Sequence, residues 1–100
     1  MSLEEVQSKV DEWIKSSSSG YFPPLTNLGI LMEEVGEVAR VMVRTYGEQR
    51  TKPSDDNVQL ADEMADVLWV LSALANQCNI NLTDAMQENW KKKEMRDRKA

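Results

Sequence analysis

The chain contains no histidine and one cysteine, Cys78. Without histidine it cannot build the common Cys/His zinc centres, nor a Ser-His or Cys-His nucleophile pair. A lone cysteine cannot close an internal disulfide, and Cys78 reads as a core or subsurface thiol. Long apolar runs are missing as well. The longest falls far short of the ~20 residues that span a bilayer, and no charged-then-apolar leader precedes a small-residue cleavage point. A cytoplasmic protein with no membrane partner is expected. Positive charge is outweighed by negative: 12 Lys/Arg against 17 Asp/Glu leave a formal net charge of −5, which argues against nonspecific binding to duplex nucleic acid, where a broad basic face is required. The basic residues that exist are gathered at one end, where "KKKEMRDRKA" holds six Lys/Arg against two Asp/Glu. Such a tail beside an acidic body suits a polyanion that arrives with its divalent cations.

What is present is helical periodicity. One hundred residues, 41% of them hydrophobic and 29% charged, suit a single globular domain over residues 1–100. A domain this small has a modest core and gains from a metal or a second subunit. The first segment, about Ser2 to Lys15, opens with a Ser2/Glu5 capping box and repeats Leu3, Val6, Val10, Trp13 and Ile14 on one face. "SSSSGYFPPL" breaks it, and Thr26 is the expected cap of a second helix that runs to about Tyr46. Its apolar face is Leu28, Leu31, Val35, Val38 and Met42. A polar connection closes with Asp55, Asp56 or Asn57 as cap of a third helix to about Cys78, and Thr83 caps a fourth that carries Leu82, Ala85, Met86 and Trp90. The tryptophans Trp13, Trp69 and Trp90 fall on these stripes as packing residues. The expected fold is all-α, a four-helix bundle-like protomer. Three prolines interrupt the chain too often for one long coiled coil.

Two acidic clusters stand out. In "LADEMADVLWVLSALA", at about 100° per residue, Glu63 falls inside the apolar stripe of Val67, Val70 and Leu74, and Asp66 is flanked by Val70 and Ala73, while Asp62 points away. An acid in the first turn complements the helix dipole. Asp66 lies beyond that turn, so a positive partner is required. The second helix supplies more acid instead: Glu33, Glu34 and Glu37 of "LMEEVGEVAR" share one sector, with Arg40 and Arg44 able to soften their repulsion. Taken alone this is a solvated acidic face. Antiparallel packing of the two helices would converge four or more oxygens, a hard donor set that selects Mg²⁺ or Mn²⁺.

The pattern Glu33-Glu34-x-x-Glu37, followed by Glu63-x-x-Asp66, resembles the E-E-x-x-E and E-x-x-D motifs of MazG-like nucleoside triphosphate pyrophosphohydrolases. "GYFPPLTNLGILMEEVGEVARVMVRTYGE" is similar to that family beyond its acids, and the likeness runs from about Gly20 to Arg96. The resemblance implies hydrolysis of a nucleoside triphosphate, a deoxynucleotide in particular, to monophosphate and pyrophosphate. It further implies Glu34, Glu37, Glu63 and Asp66 as ligands of Mg²⁺, with Mn²⁺ as a substitute, and Glu33 or Glu37 as the base that takes a proton from water. Lys92, Lys93 and Arg96 would meet the phosphates, although Glu94 stands near the position where the family often has asparagine. Tyr21 and Phe22, in the loop before the acidic helix, are the aromatic candidates for the base. The family also implies a homo-oligomer, a dimer or a dimer of dimers. The apolar circumference of the third helix, with Leu68, Trp69, Val70, Leu71 and Ala73 all round it, independently asks for cover by another subunit. The competing expectation is a noncatalytic helical module that binds cations or a protein through its acidic faces.

Overall fold

The computed structural model describes residues 1–47 and 57–98. They form four helices: α1 (Leu3–Ser16), α2 (Pro24–Tyr46), α3 (Asn57–Gln77) and α4 (Leu82–Arg98), with no strand among the described residues. No described helix is long and apolar enough to cross a membrane.

The ends of the helices have local causes. At α1 both halves of the capping box form: the Glu5 amide donates to Ser2 Oγ at 3.2 Å, and the Ser2 amide donates to Glu5 Oε1 at 3.1 Å. The α2 cap differs from expectation. The helix begins two residues before Thr26, at Pro24, after Pro23 and with no side-chain cap. Proline at the first helical position has φ already set and lacks only an N–H that would have no helical partner. The caps expected at Asp55 and Asp56 lie outside the described residues. α3 closes in a Schellman arrangement, with the Ile80 amide donating to Ala75 O at 2.9 Å and the Asn79 amide to Asn76 O at 3.2 Å. Asn79 takes the left-handed conformation this requires, at φ 57°. Asn81, rather than Thr83, caps α4: its Oδ1 accepts from the Asp84 amide at 3.1 Å.

α2 and α3 pair antiparallel, with Asn27 beside Gln77 at one end and Glu34 beside Asp66 farther along. α1 lies antiparallel on another side of α3, where Val10, Ile14 and Ala73 make a buried cluster supported by Val6 and Tyr21. A polar network fastens the same seam. Gln7, buried, donates through Nε2 to Asn76 Oδ1 at 3.0 Å and Ile80 O at 2.8 Å, and accepts from the Leu82 amide at 2.8 Å. Asn76 Nδ2 returns to Gln7 O at 2.9 Å and reaches the Tyr21 hydroxyl at 3.2 Å. Tyr21 then donates to Asp11 Oδ1 at 2.6 Å. Burying amides here costs little because their partners are built in.

Several residues expected in the core lie outside it. Trp13 and Trp90 are 64% and 62% exposed, and Leu28, Val35, Met42, Met86 and Trp69 are also exposed. Cys78 is exposed rather than subsurface. The reason is geometric. α2 turns Val41 and Asn27 into the protomer, and α4, whose main packing is against α1, leaves most of its apolar stripe open.

Candidate active site

The α2–α3 seam brings the two acidic motifs together. Carboxylate oxygens of Glu34, Glu63 and Asp66 lie within 4.8 Å of one another. Glu34 and Glu63 are half-buried in the seam and Asp66 is exposed at its edge. Partial burial raises the Glu34 carboxyl above its ordinary range, and the charges of Asp66, Glu63, Glu37 and Glu33 raise it further. Glu63 is raised by partial burial first and then by Glu37, Asp66 and Asp62, with Arg40 opposing. Every expected acid is therefore close enough to be felt, but not every one points inward. Glu37 turns toward Arg40, whose Nε and Nη2 donate to Glu37 Oε2 at 3.2 and 3.1 Å. Arg40 is thus a cation placed among the acids, and by itself it cannot balance them. Oxygen donors without nitrogen or sulfur fit a hard divalent ion, and three carboxylates leave positions for water and phosphate oxygens.

An apolar cleft of about 310 Å³ lies along the same seam, toward the loop between α1 and α2. Trp13 and Trp69 meet edge to face beside it, ring centroids 5.7 Å apart at 83°. Tyr21 and Phe22 both border the cleft. Tyr21 is at the same time a strut between α1 and α3, held through its hydroxyl. Phe22 keeps its ring exposed, while its carbonyl accepts from Gln77 Nε2 at 2.7 Å. Helical spacing alone marks Trp13 and Trp69 as packing residues, yet both border the cleft. Trp69 carries one distinguishing signal, its place one turn beyond Asp66; Trp13 carries none. A more open groove of about 630 Å³, along α1 and the α3–α4 turn, is polar, but several of its groups are already paired, including Asp11 with Lys15 at 2.9 Å.

The basic residues expected to meet the phosphates lie on α4, which packs chiefly on α1. Lys92, Lys93 and Arg96 sit exposed on α4, and neither lysine makes a described ion pair with the acidic cluster.

Comparison with known proteins agrees with this geometry. Residues 22–100 match the model of the MazG nucleotide pyrophosphohydrolase domain. YpjD of Bacillus subtilis strain 168 is 38% identical over 96 residues, covering 96% of this chain and 86% of YpjD. The crystal structure of YpjD superposes with a TM-score of 0.84 at 37% identity, covering 92% of this chain and 94% of that one. The crystal structure of the Bacillus-conserved MazG protein, a nucleotide pyrophosphohydrolase, gives a TM-score of 0.79 at 34% identity, with 92% and 88% covered. With both acidic motifs inside the matched span and the whole helical arrangement shared, the chain belongs to the MazG nucleotide pyrophosphohydrolase family.

Proposed function

We propose that residues 1–100 act as one domain that hydrolyses a nucleoside triphosphate, a deoxynucleotide in particular, to the monophosphate and pyrophosphate in the cytoplasmic nucleotide pool. The observation that carries this reading is the convergence of Glu34, Glu63 and Asp66 on one small volume, in a chain of this family. These three carboxylates would hold Mg²⁺, or Mn²⁺ in its place, and Glu37 would join them by turning from Arg40. When bound, the ion neutralises the triphosphate and makes a nearby water more acidic. The remaining work falls to the chain. Glu33 or Glu37, at the margin of the cluster, accepts the proton from water as it attacks the α-phosphorus. Arg40 then releases or recaptures Glu37, keeping a charge near the base without occupying the ligand volume. Phe22 and Tyr21 face the base from the cleft.

Lys92, Lys93 and Arg96 are assigned to the departing pyrophosphate, where cations offset the charge that builds on it. Because α4 packs chiefly on α1, this assignment is easiest in a homo-oligomer, a dimer or a dimer of dimers, whose second copy brings α4 to the acidic seam. The exposed apolar side chains Leu25, Met32 and Leu71 support such an assembly. The test is pyrophosphate release from a mixture of nucleoside triphosphates with Mg²⁺. Release that is lost in chelator is expected. Cation binding without turnover of any nucleotide would leave the noncatalytic module as the better account.

A further inference from the structure

The floor of the apolar cleft holds one buried amide. Ile14, Val70 and Ala73 supply hydrocarbon there, all buried, while Trp13, Phe22 and Trp69 form an exposed rim. Asn27, only 7% exposed, sits among the floor residues. Its orientation is fixed by its partners. Asn27 Nδ2 donates to Gln77 Oε1 at 2.8 Å and, more weakly, to Phe22 O at 3.4 Å. A backbone carbonyl can only accept, and Gln77 already spends its own Nε2 on that carbonyl, so reversing either amide would set acceptor against acceptor. Asn27 Oδ1 is left without a protein donor among the described residues and is not sealed from solvent, so it stays free to accept from a ligand in the cleft.

The cleft is also placed for a nucleotide. Asn27 and Glu34 are seven residues apart on one helix, about 10 Å along its axis, with Gln77 beside Asn27 and Asp66 beside Glu34 on the antiparallel partner. That is the span a sugar bridges between a base and its α-phosphate.

We propose, resting on the hydrolytic reading above, that this cleft seats the nucleobase and that Asn27 Oδ1 selects bases bearing an exocyclic amino group, of cytosine or adenine type, over uracil and thymine. An exocyclic amine projects beyond the ring and reaches a recessed acceptor. The ring N–H of uracil lies between two carbonyls, and presenting it to Asn27 sets both against the hydrocarbon of Ile14, Val70 and Ala73, where they lose their water.

The test uses deoxynucleosides, which carry no phosphate, in metal-free buffer, so that the acids take no part. With Trp90→Phe as background, Trp13 and Trp69 are the remaining tryptophans, and their fluorescence reports on the cleft. Deoxycytidine or deoxyadenosine should bind about tenfold more tightly than deoxyuridine and thymidine, the effect of leaving one buried polar group unpaired. The better of the two shows which ring size fits. Asn27→Leu, checked for retained helicity, should bring the ratio close to one. Equal affinity, a preference for deoxyuridine, or a ratio unchanged by Asn27→Leu overturns the proposal, and the wild-type ranking decides it even if the variant does not fold. Pyrophosphate release is measured in parallel. Ranked nucleoside binding without hydrolysis upholds the base seat and removes the hydrolytic reading; hydrolysis without the ranking removes the base seat alone.

Discussion

Glu63 shows how one side chain can oppose folding and still be required. It stands half-buried among Glu34, Asp66 and Glu37, with only Arg40 against them. Glu63→Gln should therefore abolish Mg²⁺-dependent turnover and raise the thermal midpoint in chelator, because one repelling charge is gone. Full activity in this variant removes Glu63 from the ion site. The pH dependence has a definite sign. Carboxyls raised above their ordinary value in the folded state hold protons that the unfolded chain has already lost. Their neutral forms favour folding below the ordinary value of 4.5, and that contribution disappears as pH rises through the higher folded values. Metal-free wild type should thus lose stability relative to Glu63→Gln as pH climbs above about 4.5, measured by thermal melts across an acid series. The convergence of the two acidic motifs was legible in the sequence, since helical spacing put Glu63 and Asp66 where only apolar residues belong, whereas Glu34 as their partner followed only from the family resemblance. The turn of Glu37 toward Arg40 was not, because i, i+3 spacing permits that pair without requiring it.

At the scale of the elements, a helix end follows from the rotamer and backbone conformation of single residues, and this is where sequence reading slipped most. Thr26 and Thr83 are good caps by type, yet Pro23 with Pro24 and Asn81 fix the starts of α2 and α4. The left-handed Asn79 makes the α3–α4 turn testable. Asn79→Gly should be close to neutral, whereas Asn79→Ala should cost about 1 kcal/mol, since a side chain that cannot bond locally pays the full steric penalty of positive φ. Asn81→Ala should cost about 1 kcal/mol through loss of the cap. Chemical denaturation of the three variants checks the order. The basic end of α4 should behave differently. Replacing Lys93 and Arg96 by alanine should weaken substrate use strongly and leave the thermal midpoint nearly unchanged, as exposed helix-end charges add little stability. A lowered midpoint with unchanged kinetics reverses the assignment.

For the whole molecule, the four-helix plan and the α2–α3 pairing were readable because amphipathic periods survive tertiary context. Which apolar residues lie inside one protomer was not, because a stripe looks the same whether its own chain or another subunit covers it. Trp90, Met86, Leu28 and Leu71 all satisfied the helical pattern and are all exposed. Assembly is the economical explanation. Light scattering should give a mass of at least two chains at micromolar concentration, and the thermal midpoint should fall on dilution. Leu71→Glu should lower the mass without unfolding the protomer, since Leu71 is already 40% exposed there. A stable, active monomer would show that these faces are open in solution.

The Tyr21–Asp11 hydrogen bond gives the seam between α1 and α3 two opposite limits. Its hydrogen bond to Tyr21, then its bond to Lys15, hold Asp11 below its ordinary value, so its contribution is complete above that value and is lost as acid protonates it. Partial burial, then Asp11, raise Tyr21 above its ordinary value, so its contribution is complete below that value and is lost as alkali makes the phenolate. One proton shared between two side chains therefore bounds a plateau, acid on one flank and alkaline on the other. On the alkaline flank the tie becomes a repulsion between two anions, and α1 should loosen from α3 before the α2–α3 pair opens. With Tyr46→Phe as background Tyr21 is the sole tyrosine, and its phenolate absorbance should rise together with the loss of the Trp13–Trp69 near-ultraviolet signal. Phenolate formation with that signal intact would mean the seam holds without its proton.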